Sequence, residues 1–271
     1  MVLYIIGLGL YGEKDISVRG LEIVKSSEFV YMEYYTSVLS IETDTLSKFY
    51  GKEIILADRE MIEYDFDHTI LENSKKSQVS LLVVGDPFSA TTHMDLYLRC
   101  IQAGVKVEVL NNASIMNSVG ITGMSLYRFG ETVTVPYFTK NWRPYSFYEK
   151  ICKNYNNDFH TLVLLDIKVK EISEENLAKG KKVYEPARFM SVNVALEQLL
   201  EAEESLKLGC FNKDSMIYGI ARIGAPDQIV KSGTIGQLIN FDFGAPLHSV
   251  VLCAKNLHSM EKEMFNFYLN N

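Results

Sequence analysis

Within the first 110 residues, short continuous apolar runs alternate with segments of helical period, and this alternation restricts the fold more than any other feature. Val2–Ile6, Phe29–Met32, Glu53–Leu56, Val79–Val84 and Val105–Leu110 read as strands. They are near-continuous apolar runs, the pattern of strands covered on both faces. Four helical segments separate them. Asp15 or Ser17 can cap a helix carrying Leu21 and Val24, and Thr43–Tyr50 reads as a helix stopped by Gly51. A polar helix runs near Thr69–Lys75. Thr92 is placed to cap a helix with Met94, Leu98 and Ile101 on one face, ended by Gly104. Strands alternating with helices predict a parallel five-stranded sheet with helices on both faces. Ligands of such sheets bind beyond the carboxyl ends of the strands, which directs attention to the turns after Ile6, Val84 and Leu110.

The second half has a different rhythm. Thr161–Leu165 reads as a strand and Val192–Leu206 as an amphipathic helix. Ser215–Arg222, Gln228–Val230 and Ser249–Ala254 read as further strands with short connections. A mixed sheet in a second α/β domain follows. The expected division is 1–115 and 116–271, which suits a chain of 271 residues.

The formal net charge of −7 argues against nucleic acid as a direct partner and favours a small molecule or a protein. The four cysteines form no CxxC pair, so no zinc site is expected. Cys100 and Cys253 lie in apolar runs and read as buried thiols of a reducing compartment. The Asn112–Ser114 sequon is then accidental. The apolar start lacks a basic region and a cleavage site, and no run approaches the ~20 apolar residues that span a bilayer. These features together predict a cytoplasmic chain with no membrane partner.

Three loops carry candidate chemistry. Gly7, Gly9 and Gly12 match GxGxxG after a strand, and Glu33 ends the next strand where a ribose-binding acid would stand. Alone, that pattern suggests a nicotinamide-dependent dehydrogenase. In the dinucleotide fingerprint, however, the helix starts within the glycines. Here Glu13, Lys14 and Asp15 intervene, and Gly12 comes too early to pack the helix on the strand. The competing reading is a plain strand-to-helix turn. The second loop is GDPFSATTH at 85–93, with Gly85 open to close backbone approach and Pro87 fixing the turn. Asp86 there either meets a cationic or hydroxyl-bearing ligand or merely closes the turn. His93 belongs to the first turn of the following helix. The third loop, NNASIMN at 111–117, offers polar groups for an adenine or ribose, though a helix start at a domain boundary would look the same.

The stretches GLGL at 7–10, DISVRGLEIV at 15–24, YGKEIILADRE at 50–60 and VGDPFSATTH at 84–93 closely resemble the diphthine synthase family. So do NASIMNSVG at 112–120, HTLVLLDIKVKE at 160–171, YEPARFMS at 184–191 and PLHSVV at 246–251. The glycine and GDP motifs alone are shared with the wider tetrapyrrole methylase-like methyltransferases. The resemblance implies two α/β domains with S-adenosylmethionine in the cleft between them, S-adenosylhomocysteine as product, and a homodimer. It implies methylation of the modified histidine of elongation factor 2, the diphthamide precursor: trimethylation of the amine and methyl esterification of the carboxylate. The cofactor contacts it implies are Leu10, Asp86, Ser89, Ser114, Ile115, Leu165, Ile223 and His248. Family members also carry glycine at the position of Ser89, which points to a backbone contact there.

Asp86, Asp166 and His248 are candidate polar groups for the reaction, and none is assigned as a base. A protein substrate needs a docking surface. Residues 137–188 hold ten Lys or Arg against seven Asp or Glu. Trp142, Arg143, Lys179, Lys181, Lys182 and Arg188 could line that approach, the plainer reading being a solvated loop face. Three rival functions remain open: a tetrapyrrole-type small-molecule methyltransferase, the dehydrogenase, and a non-catalytic scaffold.

Overall fold

Alternate residues of each strand in the first half face opposite cores, as the period of two requires. In a computed structural model describing residues 1–35, 37–39, 41–171, 180 and 183–271, the chain divides into units Met1–Met116 and Asn117–Asn271. The first unit holds β1 (Val2–Gly7), β2 (Phe29–Glu33), β3 (Ile55–Ala57), β4 (Gln78–Val83) and β5 (Lys106–Leu110). They form one parallel sheet in the order β3-β2-β4-β1-β5. The linking helices are α1 (Val18–Ser26), α2 (Thr43–Tyr50), α3 (Arg59–Glu63), α4 (Ile70–Lys76) and α5 (Met94–Gln102).

Connections moving toward β3 and those moving toward β5 must put their helices on opposite faces if every crossover is right-handed. The two cores show this. Ile6, Leu8, Leu82 and Val84 pack with Val24 of α1 and Leu46 and Tyr50 of α2. Leu3, Ile5, Leu81 and Val83 pack with Ile62, Ile70 and Leu71 of α3 and α4 and with Leu96 and Cys100 of α5.

Three expectations need correction. The β3–β4 connection holds two helices, because Asp58 caps α3 by accepting from the Met61 amide and the chain turns again before Ile70. On α5 the buried positions are Leu96 and Cys100, whereas Met94, Leu98 and Ile101 are each about half exposed. Thr92 does not cap this helix. His93 stands at the N-cap with helical backbone angles and no capping bond, its buried ring being drawn beneath the preceding turn.

The second unit is built on a mixed sheet in the order β11-β10-β12-β7-β6. Its strands are β6 (Val133–Val135), β7 (Thr161–Leu165), β10 (Met216–Ala221), β11 (Ile229–Thr234) and β12 (His248–Leu252). Within this sheet β6 and β7 pair in parallel and the other neighbours pair antiparallel. A small ribbon pairs β8 (Ile167–Lys168) with β9 (Arg188–Phe189). The helices include α6 (Ile115–Ser118), in which the division falls, α7 (Ser146–Asn156) and α8 (Val192–Leu206), with α9 (Ile235–Leu238) and α10 (Ser259–Asn270) after them. Ser191 caps α8 through the Val194 amide. Phe147, Tyr148 and Ile151 of α7 and Leu196 and Leu199 of α8 close the core over Val163 and Val250.

Candidate active site

The connections after β1 and β4 leave the first sheet on opposite faces. The chain leaves β1 toward β2 on one side and leaves β4 toward β5 on the other, while β1 and β4 lie side by side. Open α/β sheets bind ligands in the crevice at such a point. The turns there approach closely. Gly9 and Gly85 exchange backbone hydrogen bonds, Gly9 N to Gly85 O at 3.2 Å and Gly85 N to Gly9 O at 2.7 Å. Both have positive φ, 78° and 75°, which glycine adopts without strain. A Cβ on Gly7 would stand 2.6 Å from the Gly85 carbonyl oxygen.

Asp86 binds this edge together. Its Oδ1 accepts from the Phe88 amide at 3.0 Å and the Ser89 hydroxyl at 3.2 Å. Its Oδ2 accepts from Asn111 Nδ2 at 2.9 Å and the Asn112 amide at 3.1 Å. A carboxylate has about four acceptor positions, so these four donors fill it. Burial raises its pKa, yet the bonds from Asn111, Phe88, Asn112 and Ser89 outweigh that and hold the carboxyl below its ordinary value. Asp86 thus joins the turn after β4 to the turn after β5. Around it, Leu10, Ser89 and Ile115 are partly exposed and Ser114 is buried. His93 Nδ1 lies 3.1 Å from the Pro87 carbonyl oxygen, supporting the same turn from below.

The glycine motif behaves unlike a pyrophosphate cradle. The Tyr11 and Gly12 amides, which would face an anion, both donate to Asp15 Oδ2, at 2.8 and 3.2 Å. The chain's own carboxylate therefore occupies the anion position. Ser17 caps α1, which starts only at Val18. The glycine that packs this helix on β1 is Gly20, whose added Cβ would meet Ile6 at 3.1 Å, whereas Gly12 has open space around it. Glu33 is fully buried and accepts from the Tyr35 amide at 2.7 Å, out of reach of a ribose.

In the second unit, Leu165, Ile223 and His248 gather at one end of the sheet. His248 pairs with Ala221, and Leu164 pairs with Ser249. His248 Nδ1 accepts from the Val192 amide at 3.3 Å, at the start of α8, and Nε2 donates to the Ala245 carbonyl at 3.0 Å. Burial lowers its affinity for a proton, so the ring is neutral with both nitrogens engaged, and in this arrangement neither is free to act as a base. Arg222 holds the neighbouring loop. It donates from Nη1 to the Phe243 carbonyl at 2.8 Å and from Nε to Asp227 at 2.7 Å. Asp166 accepts from the Tyr137 amide at 3.0 Å and stands 3.5 Å from Lys168 Nζ.

Of the docking candidates, Arg143 pairs with Glu201 and Arg188 with Glu185, and Trp142 is exposed. Lys179, Lys181 and Lys182 lie outside the described residues. Among the described residues no helix is long and apolar enough to cross a membrane, and no group of three or more His, Cys, Asp or Glu side chains is placed to hold a metal ion. Sequence reasoning missed the structural roles of Asp15, Asn111 and Arg222. Asp15 carried a signal, being an acidic residue just past a glycine turn, but the partners of Asn111 and Arg222 are visible only in the fold.

Residues 2–239 match the model of the Tetrapyrrole (Corrin/Porphyrin) Methylases, and the chain belongs to that family of methyltransferases. A probable diphthine methyl ester synthase of Arabidopsis thaliana is 55% identical, over 98% of each chain. The diphthine methyl ester synthase of Homo sapiens is 49% identical, over 98% of this chain and 95% of that one. A crystal structure of diphthine synthase superposes with a TM-score of 0.85 at 35% identity, covering 100% of this chain and 96% of the other. Within the methylases, the chain belongs to the diphthine methyl ester synthase family.

Proposed function

We propose that this enzyme uses S-adenosylmethionine to methylate the modified histidine of elongation factor 2 during diphthamide synthesis. It trimethylates the amine and methyl-esterifies the carboxylate. The observation that carries the reading is near full-length identity of about half the residues to proteins named for the methyl ester reaction. Leu10, Asp86, Ser89, Ser114 and Ile115 of the first unit, with Leu165, Ile223 and His248 of the second, are the proposed cofactor contacts. The first group suits a nucleoside: partly exposed Leu10 and Ile115 offer apolar faces beside glycine turns whose backbones are already ordered. Asp86, with its four donors, contributes by fixing the turns, and a direct bond to the cofactor would have to displace one of them.

The cofactor supplies an electrophilic methyl group on a sulfonium. The chain's part is to hold nucleophile and methyl in line, which can contribute about 7–11 kcal/mol. Elongation factor 2 is the protein partner, and the enzyme works in the cytoplasm as a homodimer. The filled anion position at Tyr11 and Gly12 weighs against the dehydrogenase reading. The identity to diphthine methyl ester synthases favours a protein substrate over a tetrapyrrole. Mass spectrometry of elongation factor 2, after incubation with the enzyme and labelled S-adenosylmethionine, tests the reading. Methyl groups on the modified histidine are expected. An unlabelled factor, with label on a tetrapyrrole precursor instead, would refute it.

A further inference from the structure

Asn112 lies where all three turns of the sheet's carboxyl edge meet, and both its side-chain donors are used. One Nδ2 donates both to the Gly7 carbonyl at 2.9 Å and to the Asp15 carbonyl at 3.0 Å. Oδ1 accepts from the Ala113 amide at 2.7 Å. The Asn112 amide donates to Asp86. Its Cβ sits 2.8 Å from where a Cβ on Gly7 would stand, so glycine there and asparagine here fit as a pair.

We propose that Asn112 is the positioning residue of the cofactor edge. Its carboxamide ties the turn after β1, which carries Leu10, to its own turn, which carries Ser114, while its backbone amide holds that turn to Asp86. This inference rests on the cofactor reading above. Both hydrogens of the carboxamide and one acceptor position of its oxygen are committed within the protein, so Asn112 acts on the ligand through the turns. Aspartate is the same size as asparagine but cannot donate when ionised, and two carbonyl oxygens would then face a carboxylate. Aspartate keeps the size of the side chain and makes the donor depend on pH. Protonation restores one O–H donor, and the facing carbonyls together with the Asp86 charge raise the pH at which that happens. Among the described residues the ionisable side chains bordering this junction are Asp15 and Asp86; Asp15 is turned to the Tyr11 and Gly12 amides, and Asp86 is held ionised by its donors.

The test is titration calorimetry with S-adenosylmethionine at about pH 7.5 and about pH 5, on wild type, Asn112→Asp and Asn112→Ala. At the higher pH both variants should bind about tenfold or more weakly, since each loses the two bonds donated by the carboxamide. At the lower pH Asn112→Asp should recover much of its affinity relative to wild type, while Asn112→Ala should not. A merely structural weakening would not reverse on acidification. Should Asn112→Asp fail to fold at the higher pH, the inference stands or falls on Asn112→Ala, whose affinity within twofold of wild type overturns it. Equal affinity of Asn112→Asp and wild type at both pH values overturns it as well. A wild type that binds no cofactor overturns the cofactor reading itself, a result distinct from either.

Discussion

Replacing Asp86 with alanine should loosen the cofactor edge more than it harms the fold. The carboxylate satisfies four donors, of which the Phe88 and Asn112 amides are backbone groups that cannot swing away. The Ser89 hydroxyl and the Asn111 amide can turn toward water. Leaving two backbone donors unsatisfied costs about 1–3 kcal/mol each, and water entering the space relieves part of it, so about 2–4 kcal/mol is expected in all. That energy is what holds the turns after β4 and β5 in one shape. If roughly 2 kcal/mol of it acts on the binding-competent arrangement, the competent fraction falls and the apparent Kd for S-adenosylmethionine rises by up to about 30-fold. Calorimetry with the cofactor and a thermal melt on the same samples separate the two effects. A melting point lowered by several degrees with affinity within twofold of wild type would refute the reasoning, because Asp86 would then be a fold residue alone.

Three further outcomes follow from the geometry. At Glu261, at the start of α10, burial raises the pKa, yet the His258 amide, the His160 ring and the Ser125 amide pull it down to about 2. A carboxyl held below its unfolded value stabilises the fold above that value and loses the contribution as pH falls through the folded one. Acid unfolding monitored by circular dichroism should therefore steepen below about pH 4.5, and Glu261→Gln should flatten it while costing about 3 kcal/mol near neutrality. Gly7→Ala would press a methyl onto the Gly85 carbonyl oxygen at 2.6 Å, which should destabilise the protein by about 1–3 kcal/mol in urea melts. Fluorescence titration with reduced nicotinamide cofactor should show no saturable binding, since Asp15 fills the anion position.

Much of the first unit was legible because strands covered on both faces leave near-continuous apolar runs, as β4 does. Helix Thr43–Tyr50 was legible for its Gly51 stop, which adopts the left-handed conformation the C-terminus needs. The face of α5 was misread because Met94, Leu98 and Ile101 outnumber Leu96 and Cys100 in the competing phase, and the sequence does not say which phase the sheet covers. Strand Val133–Val135 escaped notice because three residues carry too little periodicity. Helix Ser146–Asn156 did carry a signal, with Phe147, Tyr148, Ile151 and Cys152 on one face, but aromatic and polar residues interleave along it. The candidate site was legible as three turns at one edge. The saturation of Asp86 and the committed amide of Asn112 were not, because a hydrogen-bonding partner 26 or 105 residues away is fixed only by the fold.

The central claim is that the carboxyl edge of the first sheet, at the turns 7–12, 85–92 and 111–117, is the cofactor site. A crystal of the enzyme grown with S-adenosylhomocysteine tests it most directly. The account predicts the nucleoside against Leu10, Ser89 and Ile115, with Asp86 and Asn112 keeping their present partners. Density for the ligand elsewhere, or none at a concentration that saturates binding in solution, would contradict it.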